Sequence, residues 1–138
     1  MITQKIVNAI TYDVIGCAIE VHKELGPGLL ESVYEKCLAH VLQENGMKVE
    51  CQKKVPINFR GLELDADLRF DILVEDLIVL ELKAVQEILP IHEAQLLTYL
   101  KLLEKPKGIL INFNCTNIYK EGQKTFVTEH FRNLPKGN

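Results

Sequence analysis

The stretch from Arg69 to Ala84, RFDILVEDLIVLELKA, constrains this chain most: it reads as two apolar strands interrupted by the charges of Asp71, Glu81 and Lys83. Leu77 to Ala84 is so uniformly apolar that both faces of that strand must be covered, which places it inside a sheet packed between layers. A charged side chain that leaves water is strongly destabilising unless it is paired or bound to a metal. Two carboxylates and a lysine so close together therefore point to a divalent-metal site suited to phosphodiester hydrolysis.

The flanking pattern supplies the layers. From Thr3 to Leu25, apolar residues recur at Ile6, Ile10, Val14, Ala18, Val21 and Leu25, a helical stripe that Gly26-Pro27-Gly28 stops. A second helix is expected over Leu29–Asn45, with Val33, Cys37, Leu38, Val41 and Leu42 buried. The period then changes to two, giving a half-buried strand from Lys48 that ends near Pro56, after which Ile57–Leu64 continues or turns at Gly61. Two strands follow, at Leu64–Leu73 and Leu77–Ala84, then a helix over Ile91–Glu104 and a central strand at Ile109–Phe113. Ile118–Val127 reads as a hairpin turning at Glu121-Gly122, and Asn133–Asn138 as a frayed end. The order predicts an α/β (α+β) fold, a mixed sheet flanked by helices; 138 residues, 47% of them hydrophobic, suffice for a single domain spanning 1–138.

Charge and composition narrow the function. A net charge of −3 counts against a protein that coats nucleic acid, but leaves room for a local basic rim from Lys53, Lys54, Lys101, Lys105, Lys107, Lys120 and Lys124. Ordinary solvating lysines explain the same residues. No apolar run approaches the roughly 20 residues that span a bilayer, and the start lacks the order of a signal peptide, so no membrane partner and a cytoplasmic location are expected. Cys17, Cys37, Cys51 and Cys115 are scattered, without the close spacing of a zinc or iron–sulfur site. A nucleotide-handling enzyme is disfavoured, because Gly26-Pro27-Gly28 lacks the length, lysine and hydroxyl of a phosphate loop.

Alternation along the strand puts Glu81 and Lys83 on one face with Leu77 and Val79. Asp71 joins that face only if an odd number of residues lies outside the ladder. With Val74-Glu75-Asp76 as the loop, Leu73 faces Leu77 and Asp71 faces Val79, so that Asp71 and Glu81 are diagonal neighbours able to share an ion. A two-residue turn at Glu75-Asp76 would separate them. Hard oxygen ligands suit Mg2+ or Mn2+, with Lys83 placed to orient the attacking water or to neutralise transition-state charge. The competing reading is a surface ion pair, Glu81 with Lys83 or with Arg69, on an edge strand.

Two helical pairs extend the pattern. Gln95 and Tyr99 lie four apart, on one side of the helix that follows Lys83, and Glu31 and Tyr34 share a side of the second helix. Glu31 lies in a first turn, where the helix dipole alone would favour it, and Tyr34 at this spacing also suits a core position. Of His22, His40, His92 and His130, only His92 has the spacing, three residues before Gln95, to face the same pocket. Asn112 and Asn114 are expected to hydrogen-bond a turn at the end of their strand.

This ordered set resembles the PD-(D/E)XK nuclease superfamily and its restriction-endonuclease-like fold: Asp71, then Glu81-Leu82-Lys83 as E-x-K, then Gln95 to Tyr99 as the Q-x-x-x-Y helix of RecB-like exonucleases. Gly28-Leu-Leu-Glu31-Ser-Val-Tyr34 matches the signature of the small GxxExxY proteins within it, and together the matches run from about Ile15 to Val127. The resemblance implies metal ligation by Asp71, Glu81, the Leu82 carbonyl and Glu31, catalysis by Lys83, and positioning of substrate or site by Gln95, Tyr99 and Tyr34. The implied cofactor is Mg2+ or Mn2+. The implied partner is nucleic acid, DNA foremost, cut with low sequence specificity, with a homodimer left open; a non-catalytic binding or assembly module is the alternative. Phe70 stands where the motif name has proline.

Overall fold

The computed structural model describes residues 1–138. Thr3 caps the first helix, α1 (Gln4–Leu25), its hydroxyl accepting from the Ile6 N–H. The buried stripe is Val7, Thr11, Val14, Cys17, Ala18 and Val21; it keeps Val14, Ala18 and Val21 of the expected one but starts at Val7 and Thr11 instead of Ile6 and Ile10, and it leaves Ile6 and Leu25 exposed. Helix α2 (Glu31–Glu44) buries Tyr34, Leu38 and Leu42, with Val33 turned outward.

Five strands form one mixed sheet in the order β1 (Val49–Cys51), β4 (Ile72–Val74), β5 (Ile78–Lys83), β6 (Lys107–Asn112), β7 (Gln123–Val127). Only β5 and β6 run parallel, and α3 (Pro90–Leu103) is the crossover between them. A separate hairpin, β2 (Ile57–Phe59) with β3 (Leu62–Leu64), turns at Arg60-Gly61, both with positive φ, as the favoured two-residue hairpin turns require.

The sheet has an apolar layer on each side. Ile72, Val74, Ile78, Leu80, Leu82, Ile109 and Ile111 pack beneath α1 and α2. Leu73, Val79 and Leu110 pack with Val55 and Phe70 against Leu96, Tyr99 and Leu100 of α3. Gly108 permits that second contact, because a Cβ there would lie 2.8 Å from a Leu100 methyl and 2.9 Å from one of Leu96. β5 is thus the middle strand, covered on both faces, while β6 is interior but second from the edge.

Four expectations are corrected. Leu64–Leu73 is not one strand: the pairing breaks after β3, holds as a single Lys54–Arg69 bridge, and resumes at Ile72. Ile118–Gly122 is a π-helical turn rather than half a hairpin, and only Gln123–Val127 is strand, paired with β6. A short helix, α4 (Glu129–Arg132), follows, and the tail beyond it is tied to α1, with the Gln4 and Lys5 N–H groups donating to the carbonyls of Pro135 and Lys136 at 2.8 and 3.0 Å. Lys107 is buried rather than part of a rim, its ammonium donating to Asn8 Oδ1 at 2.9 Å and lying over the Phe131 ring.

Candidate functional site

The turn between β4 and β5 sets the site's geometry. Glu75 and Asp76 both adopt left-handed conformations, closed by the Leu77 N–H donating to Val74 O at 3.0 Å, while the ladder pairs Val74 with Ile78. Leu77 is therefore the odd residue left outside the ladder, which preserves the parity required for a shared face. The register differs by two residues from the expected one: Leu73 pairs with Val79 and the ladder ends at Ile72 with Leu80, so that Asp71, the next residue out, comes across from Glu81 rather than diagonal to it. Glu81 shares the α3-facing side of β5 with Val79, while Asp71, one residue before β4, reaches the Leu82 N–H and Gln52 beside it.

Hydrogen bonds fix the two carboxylates. Glu81 Oε1 accepts from the Asp71 N–H at 3.3 Å, and Asp71 Oδ2 accepts from the Leu82 N–H at 2.7 Å. Glu81 is 5% exposed, and burial, followed by the nearby Asp71 charge, pushes its carboxyl up to about 8. Burial also raises the Asp71 carboxyl, with the Leu82 N–H as the largest opposing influence. Neither has a cationic partner within 4.0 Å, and the chain's seven ion pairs all lie elsewhere. The expected alternative of an edge-strand ion pair is thereby excluded: β5 is central, and Arg69 bonds to Asp67 and to Gln52 O.

Lys83, two residues beyond Glu81 on the same face, is half-buried, and its charge favours ionisation of both acids. Asn112 pins the chain just after it, accepting from the Val85 N–H at 3.1 Å and donating to Val85 O at 2.9 Å; Asn114 donates to the same carbonyl. From the opposite layer, Glu31 at the start of α2 accepts from the Ala84 N–H at 3.3 Å, and its charge contributes to raising the Asp71 carboxyl.

Not every expected residue arrives. Gln95 donates to the Tyr99 hydroxyl at 2.8 Å on α3; Tyr99 lies in the layer beneath which Glu81 points, but neither residue hydrogen-bonds the acidic pair. Tyr34 is fully buried, stacked on Phe113 at 4.3 Å between centroids, with its hydroxyl donating to Gly26 O and accepting from the Leu29 N–H. It latches the turn between α1 and α2 and does not face the site. His92 accepts from the Leu89 N–H at the start of α3, which makes it a cap. The Leu82 side chain lies in the α1–α2 layer, leaving only its main chain beside the acids.

Two residues were missed. Gln52 Nε2 donates to Asp71 Oδ1 at 3.3 Å and to Glu35 Oε1 at 2.5 Å. Glu35 was signalled by its spacing, four residues after Glu31 on α2, whereas Gln52 carries no mark in the sequence.

As a metal centre, the arrangement is sparse. No three His, Cys, Asp or Glu side chains gather closely enough to cage an ion, so the oxygen donors are two opposed carboxylates with Glu31 at the edge. This set fits a hard cation that keeps most of its waters and takes one or two carboxylates from the protein. Most lysines of the expected rim are engaged elsewhere, Lys53 with Glu50, Lys54 with Asp65, Lys105 with Asp76 and Lys124 with Glu93. No helix is long and apolar enough to cross a membrane.

Comparison with curated proteins and with solved structures returns no significant match. The family comparison does: residues 8–126 match the PD-(D/E)XK nuclease superfamily, a span that contains the opposed acids, the lysine and the α3 pair. The chain belongs to the PD-(D/E)XK nuclease superfamily.

Proposed function

We propose that this protein is a metal-dependent nuclease, of the GxxExxY kind, that hydrolyses phosphodiester bonds of nucleic acid, DNA foremost, with low sequence specificity. The observation that carries this reading is the contact of half-buried Asp71, just before β4, with buried Glu81 on β5, with Lys83 two residues beyond Glu81 and no cation paired to either acid. Asp71 and Glu81 hold Mg2+ or Mn2+, with the Leu82 carbonyl and Glu31 as further oxygen donors. A bound ion of this type supplies the Lewis acid that activates water and offsets charge on phosphoryl oxygens. The Lys83 ammonium orients the attacking water and neutralises charge that develops in the transition state. Gln95, held by Tyr99, steadies the substrate backbone beside the acids. Four free cysteines fit action in a reducing cytoplasm, and cutting both strands of a duplex would call for a homodimer.

Cleavage of labelled single-stranded DNA, duplex DNA and RNA with Mn2+ or Mg2+ tests this. Lys83→Ala and Asp71→Ala are expected to lose at least about 100-fold in rate, the scale of a removed transition-state contact. Equal rates in parent and variants would refute the assignment. A second reading, a nuclease-fold binding or assembly module that does not cut, draws support from the engaged lysines and the net charge of −3; it predicts a defined partner or a homodimer and no metal-dependent cleavage of any of these nucleic acids.

A further inference from the structure

We propose that Gln52 is a positioning residue for Asp71, held in place by Glu35, so that α2 supports the metal site through Glu35 as well as Glu31. This inference rests on the metal-site reading above and adds the device that fixes its first carboxylate.

Gln52 follows β1 and sits beside Asp71 across the β1–β4 pair, its N–H donating to Asp71 O at 3.0 Å. Its carbonyl accepts from Arg69 Nη1 at 2.9 Å. The residue is exposed, so packing does not explain it. Its φ is 55°, the left-handed region that a glycine would occupy with less strain. Arg60, Glu75, Asp76 and Glu104 share that conformation where they close turns or a helix end, and Asp67 shares it in the unpaired stretch after β3, where its carboxylate pairs with Arg69. At Gln52 the strain accompanies a side chain whose amide makes two bonds, to Glu35 Oε1 at 2.5 Å and Asp71 Oδ1 at 3.3 Å.

The chemistry needs this residue type. Two carboxylates facing one gap repel, and Asp71 adds to the upward shift of the Glu35 carboxyl that burial begins. A neutral amide with two N–H donors satisfies both without adding charge. Glutamate at this position could not donate, and asparagine would be too short to reach both partners. With Leu82 N–H on Oδ2 and Gln52 on Oδ1, each Asp71 oxygen has one donor and keeps a lone pair free for an ion. Supporting hydrogen bonds of this kind orient metal ligands, and their loss typically weakens metal affinity about 10- to 100-fold.

The test is Gln52→Gly, which deletes the amide while relieving the left-handed strain. Mn2+ affinity by calorimetry is expected to fall at least about tenfold, while the melting temperature of the metal-free protein is no lower than the parent's. The Leu82 amide proton, read by NMR without metal, should move as the Asp71 carboxylate loosens. Glu35→Ala should move that resonance in the same direction by a smaller amount. An unchanged affinity together with an unchanged Leu82 resonance overturns the proposal, and so does an affinity loss accompanied by a lower melting temperature, which would mark a merely structural role. If the parent itself binds no Mn2+, the metal-site reading fails, and the Leu82 resonance alone decides whether Gln52 positions Asp71.

Discussion

Asp71, one residue before β4, stands across from Glu81 of β5, its main-chain N–H donating to the Glu81 carboxylate at 3.3 Å. Buried opposition without a cation makes full ionisation unfavourable, and the Glu81 carboxyl moves from 4.5 to about 8. Its folded value is raised, so the folded state holds a proton that the unfolded state releases between about 4.5 and 8. The associated stability is fully present below 4.5 and disappears as pH rises through about 8. The metal-free protein should therefore lose a few kcal/mol between those limits, since each pKa unit is worth about 1.4 kcal/mol. Glu81→Gln should flatten the slope and melt higher than the parent at pH 8.5, with no advantage near pH 5. A parent melting temperature that rises from pH 5 to pH 8.5 would contradict this.

A divalent ion that binds only the folded state acts against the same destabilisation. At 100 times its dissociation constant it stabilises by about 2.7 kcal/mol, several degrees for a chain of this size. Mn2+ or Mg2+ at pH 8 should raise the melting temperature of the parent but not of Asp71→Ala. An equal response in both proteins would remove Asp71 from the site.

Tyr34 supports the fold rather than the chemistry. Tyr34→Phe keeps the stack on Phe113 but leaves Gly26 O and the Leu29 N–H without their hydroxyl partner. A loss of about 1–2 kcal/mol is expected, the range for a buried hydrogen bond whose partners are left unsatisfied, with Mn2+ affinity unchanged. Denaturant unfolding and calorimetry on the same variant read the two quantities. A weakened affinity at parental stability would return Tyr34 to the site.

The strand that carries Glu81 and Lys83 was legible because an apolar run with period-two charges has few other readings, whereas the expected strand through Asp71 was too long, since Asp71 stands in a bend just before β4. Parity was legible for the same reason: a one-residue slip would turn Leu73 and Val79 out of the α3 layer. The exact register was not, because whether Leu77 enters the ladder depends on two left-handed residues, Glu75 and Asp76, that carry no glycine signal. Ile118–Gly122 misled because Glu121-Gly122 has the composition of a hairpin turn. In the structure Gly122 is buried, and a Cβ there would lie 2.7 Å from Cys115 Sγ. Gln52 escaped notice because its role depends on bringing together β1, β4 and α2, which are distant in sequence.

The α3 pair separates a positioning role from a structural one. Gln95 is exposed, and its one side-chain hydrogen bond is to the Tyr99 hydroxyl, while the Tyr99 ring is packed among Leu73, Val79 and Leu110. Tyr99→Phe keeps the ring and releases Gln95, so stability should fall by no more than about 1 kcal/mol, the usual worth of one hydrogen bond. If Gln95 steadies the substrate, Tyr99→Phe and Gln95→Ala should each lower kcat/KM by about tenfold or more, because a reacting bond misplaced by even a fraction of an ångström slows the chemistry. The double variant should do no worse than either single one, since both remove the same contact. Independent, multiplying losses would show that the two residues act separately, and unchanged kcat/KM in all three would reduce the pair to helix packing.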